Sequence, residues 1–175
     1  MVNLIYKNHS AIRNRTITEY LFKEISEAIE VVYGPDVFGV IYSGGQTPKR
    51  RTGSVRHDGG KAADVHLYKG DKVLKGIELG LLAQYWAAKK IGGVGLEMRG
   101  GGIHLDQWST PPKGGGMFWF YDNPTQDSIE RRSQRSMVSS GINGNLPVLY
   151  SKPSFWDRFN KFRSRYKVKE YRNGK

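Results

Sequence analysis

Three of the four histidines in this chain stand close to aspartates. His57, Asp64 and His66 fall within Ser54–Leu67, and His104 and Asp106 fall two residues apart within Gly102–Trp108. From Ala63 the first stretch alternates, which puts Asp64 and His66 on one face of a strand and Val65 and Leu67 on the other. The second alternates in the same way, with His104 and Asp106 set against Ile103 and Leu105. Polar pairs on two short strands, each backed by apolar residues, describe a site laid on a packed sheet. Imidazole nitrogen and carboxylate oxygen are ligands that zinc accepts at roughly 2.0–2.2 Å, and a catalytic zinc takes three and leaves one position open. His57, Asp64 and His104 would supply two nitrogens and one oxygen.

The elements that must position these residues are legible around them. Glycines at 59 and 60 predict a tight turn after His57, where backbone approaches closely. Upstream, Thr16 and Glu19 fit a capping box, and Ile17, Leu21, Ile25, Ile29 and Val32 recur as the stripe of an amphipathic helix that Gly34-Pro35 ends. Val37 to Tyr42 reads as a strand broken by Ser43-Gly44-Gly45. Tyr68 to Lys72 reads as a turn. Ile77, Leu81, Leu82, Tyr85 and Ala88 form a second helical stripe with Trp86 at its edge, ending at Lys89-Lys90. Val94–Met98 and Ile103–Trp108 read as a hairpin, and Met117–Tyr121 as an additional buried strand or, alternatively, a substrate platform. Residues 122–150 are polar and weakly patterned, which suggests an extended or mobile segment. The expected fold is α+β, a small mainly antiparallel sheet with helices on one side.

The spacing from His57 to Asp64, with Ala62 two residues before the aspartate and a strand histidine far downstream, resembles the D-Ala-D-Ala metallopeptidase/hedgehog superfamily. Within it, Asp64-Val65-His66 and the block running from Gly92-Gly93-Val94-Gly95 to His104-Leu105-Asp106 resemble the murein endopeptidase K branch. The likeness covers about residues 40–108 and extends through the preceding helix to about Thr16. It implies one zinc ion held by His57, Asp64 and His104, and hydrolysis of an amide bond in the stem or cross-link peptides of peptidoglycan. Three positions depart from the pattern. Ser54 stands three residues before His57 instead of two. Ser43-Gly44-Gly45-Gln46 replaces Ser-Gly-Tyr-Arg, so an anion-holding role would pass to Gln46 or to an arginine of the following loop, Arg50, Arg51 or Arg56. Gly101 stands where many relatives, though not the endopeptidase K branch, carry an acid. The general base is then His66 or Asp106, ranked equally, with Glu97 next; whichever of them is not the base is placed to orient a ligand, water or substrate.

At 175 residues the chain reads as one domain, residues 16–121, behind a basic arm at 1–15 that includes His9. It has no cysteine, which excludes disulfides, thiolate metal sites and a cysteine nucleophile. The first residues lack the apolar run of a signal peptide and no stretch approaches a membrane span, so synthesis in the cytoplasm is expected, with action at the cell wall or carriage in a virion. The net charge is +12, and residues 151–175 carry nine basic residues against Asp157 and Glu170. Phe155, Trp156, Phe159, Phe162 and Tyr166 recur there at helical spacing, the pattern of a basic amphipathic tail that docks on the domain or binds an anionic wall polymer or a virion protein. Such charge attracts any polyanion, but no nucleic-acid-binding module is recognisable. The expected function is a zinc peptidase of peptidoglycan, from a bacteriophage lysis system or virion; the alternative is a non-catalytic virion protein on the same fold.

Overall fold

Alternation along the central strands separates a core face from a site face, and the rest of the fold follows from covering the first. The computed structural model describes residues 3–7, 15–50, 53–97, 100–110, 117–121, 129–147 and 149. These form strands β1 (Leu4–Tyr6), β2 (Val37–Ser43), β3 (Ala62–Lys69), β4 (Lys72–Val73), β5 (Val94–Leu96), β6 (Gly102–Asp106) and β7 (Phe118–Phe120), with helices α1 (Glu19–Tyr33), α2 (Ile77–Ala88) and α3 (Ile129–Ile142). The class is α+β. The sheet runs β1-β2-β3-β6-β5-β7, with β4 paired to β3 off this path. Its centre is antiparallel, while the outer pairs β1-β2 and β5-β7 are parallel, so the sheet is mixed. The His9 position, Arg51 and the tail 151–175 lie outside the described residues.

Ala63, Val65 and Leu67 of β3, with Ile103 and Leu105 of β6, are buried against α1 and α2 as the alternation predicts. Leu21, Ile25, Ile29 and Val32 bury the inner face of α1, each side chain contributing about 1.5–3 kcal/mol when fully removed from water. The cap of α1 differs from the expected capping box. Thr18, not Thr16, is the N-cap, its Oγ1 accepting from Leu21 N at 3.2 Å. Thr16 cannot begin the helix because the chain runs extended there against two glycines. Arg15 bridges to Gly45, and Thr18 N donates to Gly60 O at 2.9 Å. A Cβ at Gly60 would stand 2.9 Å from Thr16 O, and Gly60 takes the left-handed φ of 74°, so the turn after His57 requires glycine on both counts.

Five further expectations are corrected. Part of the basic arm is structure: Leu4–Tyr6 is an edge strand, and Leu4 is buried. On α2 the buried set is Leu79, Leu82, Ala83, Tyr85 and Trp86, whereas Ile77 is exposed. Trp86 belongs to the centre of the core and not its edge, because it turns toward the sheet, where its Nε1 donates to Asp106 O at 3.1 Å. Residues 129–142, expected to be extended or mobile, form that covering helix, with Arg131, Gln134 and Val138 buried and Gln134 Nε2 donating to Gly76 O. The run Met117–Tyr121 holds an edge strand only half buried, with Met117 and Tyr121 exposed. None of the helices among the described residues is long and apolar enough to cross a membrane.

Candidate metal centre

Strand pairing assembles the site. The β3-β6 register sets Asp64 opposite His104, His66 opposite Gly102 and Ala62 opposite Asp106, so the polar faces read from the sequence become one surface. His57 joins them from the short helical turn Val55–His57, which Ser54 caps by accepting from Arg56 N at 3.2 Å. One donor atom each from His57, Asp64 and His104 lies within 4.8 Å of the others.

Each of the three is held from behind. His57 is 1% exposed, and its Nδ1 donates to the Gly44 carbonyl at 2.8 Å, which leaves Nε2 as the lone-pair nitrogen facing Asp64 Oδ1 at 3.5 Å. His104 turns Nδ1 toward Asp64 Oδ1 at 2.8 Å, and its Nε2 lies 3.4 Å from Asp106 Oδ2. That is the carboxylate–histidine arrangement that fixes a ligand's ring orientation. Two nitrogens or oxygens bound to one tetrahedral zinc stand roughly 3.4 Å apart. The His57–Asp64 separation matches this spacing, and the shorter His104–Asp64 contact is a hydrogen bond that an ion would replace. The donor set fits a metal ion.

Charge is arranged to match. Burial opposes the Asp64 carboxylate, but its interactions with the His104 and His57 rings outweigh it and hold its pKa well below the usual carboxylate range. Burial likewise opposes a charged His104, yet its hydrogen bonds to Asp106 and Asp64 raise it above the ordinary histidine value. Asp106 is fully buried, and hydrogen bonds from His104, Gly93 N, Arg56 and Trp108 N override the desolvation and keep it ionised.

The remaining candidates divide sharply. Behind the ligands Asp106 Oδ1 accepts from Gly93 N at 2.7 Å and Trp108 N at 3.0 Å, and Oδ2 receives the Arg56 guanidinium. With those acceptor positions taken and no exposure, Asp106 is a positioning residue; its expected role as general base is corrected. Arg56 is corrected with it, since the guanidinium is buried against Asp106 and stacks 4.4 Å from the Trp119 ring instead of facing a substrate. Gln46 is also buried, its Nε2 donating to Ser54 O at 2.6 Å and Asp58 Oδ1 at 3.0 Å, so it closes the loop that carries His57. Arg50 ends the turn Pro48–Arg50, but its side chain and all of Arg51 lie outside the described residues.

His66 and Glu97 do reach the site. A cavity of about 320 Å³ opens over the three ligands, and His66, Glu97 and Tyr121 line it with them. A Cβ at Gly102 would stand 2.7 Å from Glu97 Oε2 and 3.3 Å from His66 Nε2, so glycine there clears the space in which the two groups meet. Burial lowers the His66 pKa, which favours the neutral ring that can accept a proton. The far wall comes from the run Met117–Tyr121, for which the sequence left a buried strand and a substrate platform as alternatives. Trp119 packs against His104 with ring centroids 5.0 Å apart, and Tyr121 lies 6.3 Å from the same ring. In Met117–Tyr121 every residue is apolar or aromatic, so no polar alternation marked which side chains face the site. No family model, curated protein sequence or solved structure matches this chain.

Proposed function

We propose that the chain is a zinc-dependent peptidase of the D-Ala-D-Ala metallopeptidase/hedgehog type, hydrolysing an amide bond in the stem or cross-link peptides of peptidoglycan. The observation that carries this reading is the convergence of His57, Asp64 and His104 at the floor of an open cavity, with Asp106 and the Gly44 carbonyl orienting the two imidazoles. Two imidazoles and one carboxylate suit zinc and leave a coordination position open. A zinc ion there would lower the pKa of a water molecule toward neutrality and polarise the scissile carbonyl. The chain's own part is to hold the peptide in the cavity and to move a proton. His66 and Glu97 are the lining groups able to accept the water proton and return it to the leaving amine. A phage lysis enzyme or a virion-borne peptidase is the setting that the sequence resemblance suggests.

The test is elemental analysis of protein purified without chelator, followed by digestion of purified peptidoglycan read by mass spectrometry, for the parent and for His104→Ala. Stoichiometric zinc and new peptide termini, both lost in His104→Ala, are expected. Absence of stoichiometric metal in the parent would overturn the metal centre. Bound zinc without any cleavage would leave a non-catalytic role on the same fold, such as a virion component, in place of the peptidase.

A further inference from the structure

The wall opposite His66 and Glu97 is formed by a strand that lies beyond the stretch with family-like spacing. In β7, Trp119 pairs in register with Gly95, which in turn pairs with His104. A Cβ at Gly95 would stand 2.5 Å from Trp119 Cε2 and 2.7 Å from Tyr121 Cε2, so glycine alone lets both rings lean across β5 toward the ligands. The two rings brace each other, with centroids 5.9 Å apart at 73°. Trp119 is held further by the Arg56 guanidinium. Tyr121 lines the cavity beside the metal ligands, while the residue as a whole remains 52% exposed at the rim. A phenol at the rim of this cavity can turn its hydroxyl toward a carbonyl oxygen bound over the ligands. Meanwhile two of the residues expected to hold an anion are engaged elsewhere: Gln46 in its loop and Arg56 beneath Asp106.

We propose that the Tyr121 hydroxyl donates a hydrogen bond to the carbonyl oxygen of the amide under attack. The inference rests on the hydrolytic reading of the site and adds a residue to it. As water attacks the carbonyl carbon, the π electron pair moves onto that oxygen, and a donor already in place stabilises the charge that develops. Tyr121 keeps its proton throughout; the proton released by the water passes to the base on the other wall. Trp119 and Gly95 act through Tyr121 by holding its ring in position.

Tyr121→Phe in the full-length zinc-loaded protein tests this, because it keeps the ring and removes only the hydroxyl. Losing one such donor costs about 10²–10³-fold in kcat, so that loss is expected with KM, zinc content and melting temperature close to the parent's. A second readout needs no turnover. Inorganic phosphate, titrated calorimetrically, offers an anionic oxygen at the same place, and Tyr121→Phe should weaken its binding by about tenfold. Phosphate binding equal to the parent's overturns the proposal, and so does a variant that loses zinc or stability in proportion to activity. If the parent binds zinc but cleaves no peptide, the hydrolytic reading falls by itself, and the phosphate titration still decides whether Tyr121 donates at the site.

Discussion

Asp106 and His66 each stand two residues from a proposed ligand, yet packing gives them different chemistry. Asp106 is surrounded by donors, and removing it would break the buried ion pair with the Arg56 guanidinium. Asp106→Ala should therefore cost about 3–5 kcal/mol of stability, the usual penalty for breaking a buried ion pair from one side. Its metal affinity should fall about 10–100-fold, because His104 loses the group that orients it. Chemical denaturation and zinc titration check the two effects separately. His66→Ala and Glu97→Gln should behave otherwise, since both residues line the cavity. The variant lacking the true base should lose about 10²–10⁴-fold in turnover while keeping its zinc and its fold. Equal activity in both variants and the parent would remove both residues from that role. The proton shared by His104 Nδ1 and Asp64 Oδ1 across 2.8 Å must leave when a metal binds. Zinc affinity should thus rise with pH, and calorimetry in buffers of different ionisation enthalpy should register proton release.

At the scale of elements, the contact between α2 and α3 depends on side chains that are not there. Gly80 lies beneath Met137, and a Cβ on Gly141 would overlap the Gln84 carbonyl oxygen. Alanine is favoured over glycine within a helix by about 1 kcal/mol. Forcing a methyl group into close-packed backbone costs about 1–3 kcal/mol, and a rigid carbonyl cannot swing aside as a side-chain end would. The overlap should win. Gly141→Ala is expected to destabilise the fold by about 1 kcal/mol despite its better propensity, whereas Ser139→Ala on the exposed face should stay within about 0.5 kcal/mol of the parent. Thermal melts of the two variants decide it; a stabilised Gly141→Ala would show that α3 can lift away from α2 at little cost.

For the molecule as a whole, charge and site are separate properties. More than half of the net +12 resides in residues 151–175, which lie outside the described residues. The cavity instead gathers Asp64 and Glu97 beside its histidines. Truncation after Tyr150 should weaken association with peptidoglycan carrying anionic polymers, and the difference from the parent should shrink as salt rises, since the Debye length is about 8 Å at physiological ionic strength. Hydrolysis of a small soluble peptide should be unaffected. A truncated protein that no longer folds would instead show that Phe155, Trp156 and Phe159 belong to the core. Sedimentation with purified walls across a salt series separates these outcomes.

The sequence by itself determined the centre of the sheet and the residues that meet there. Alternation in Ala63–Leu67 and Ile103–Trp108 assigns each side chain to a face, and the faces carry the ligands; this is local information, because a strand's period is two wherever it lies. The stripe of α1 was legible for the same reason. Only tertiary structure decided what each polar group would do. Asp106 and His66 look equally able to act as bases in one dimension, and burial beside Arg56 disqualifies the first while Gly102 leaves room beside the second. The helix α3 was illegible because its buried stripe reads Arg131, Gln134, Val138, Gly141: it docks through hydrogen bonds, an arginine stacked on Phe120 and a close glycine contact, with little of the apolar periodicity that betrays a helix. Trp119 and Tyr121 became part of the site only when β7 paired with β5 over Gly95, a juxtaposition of distant segments that no local pattern encodes.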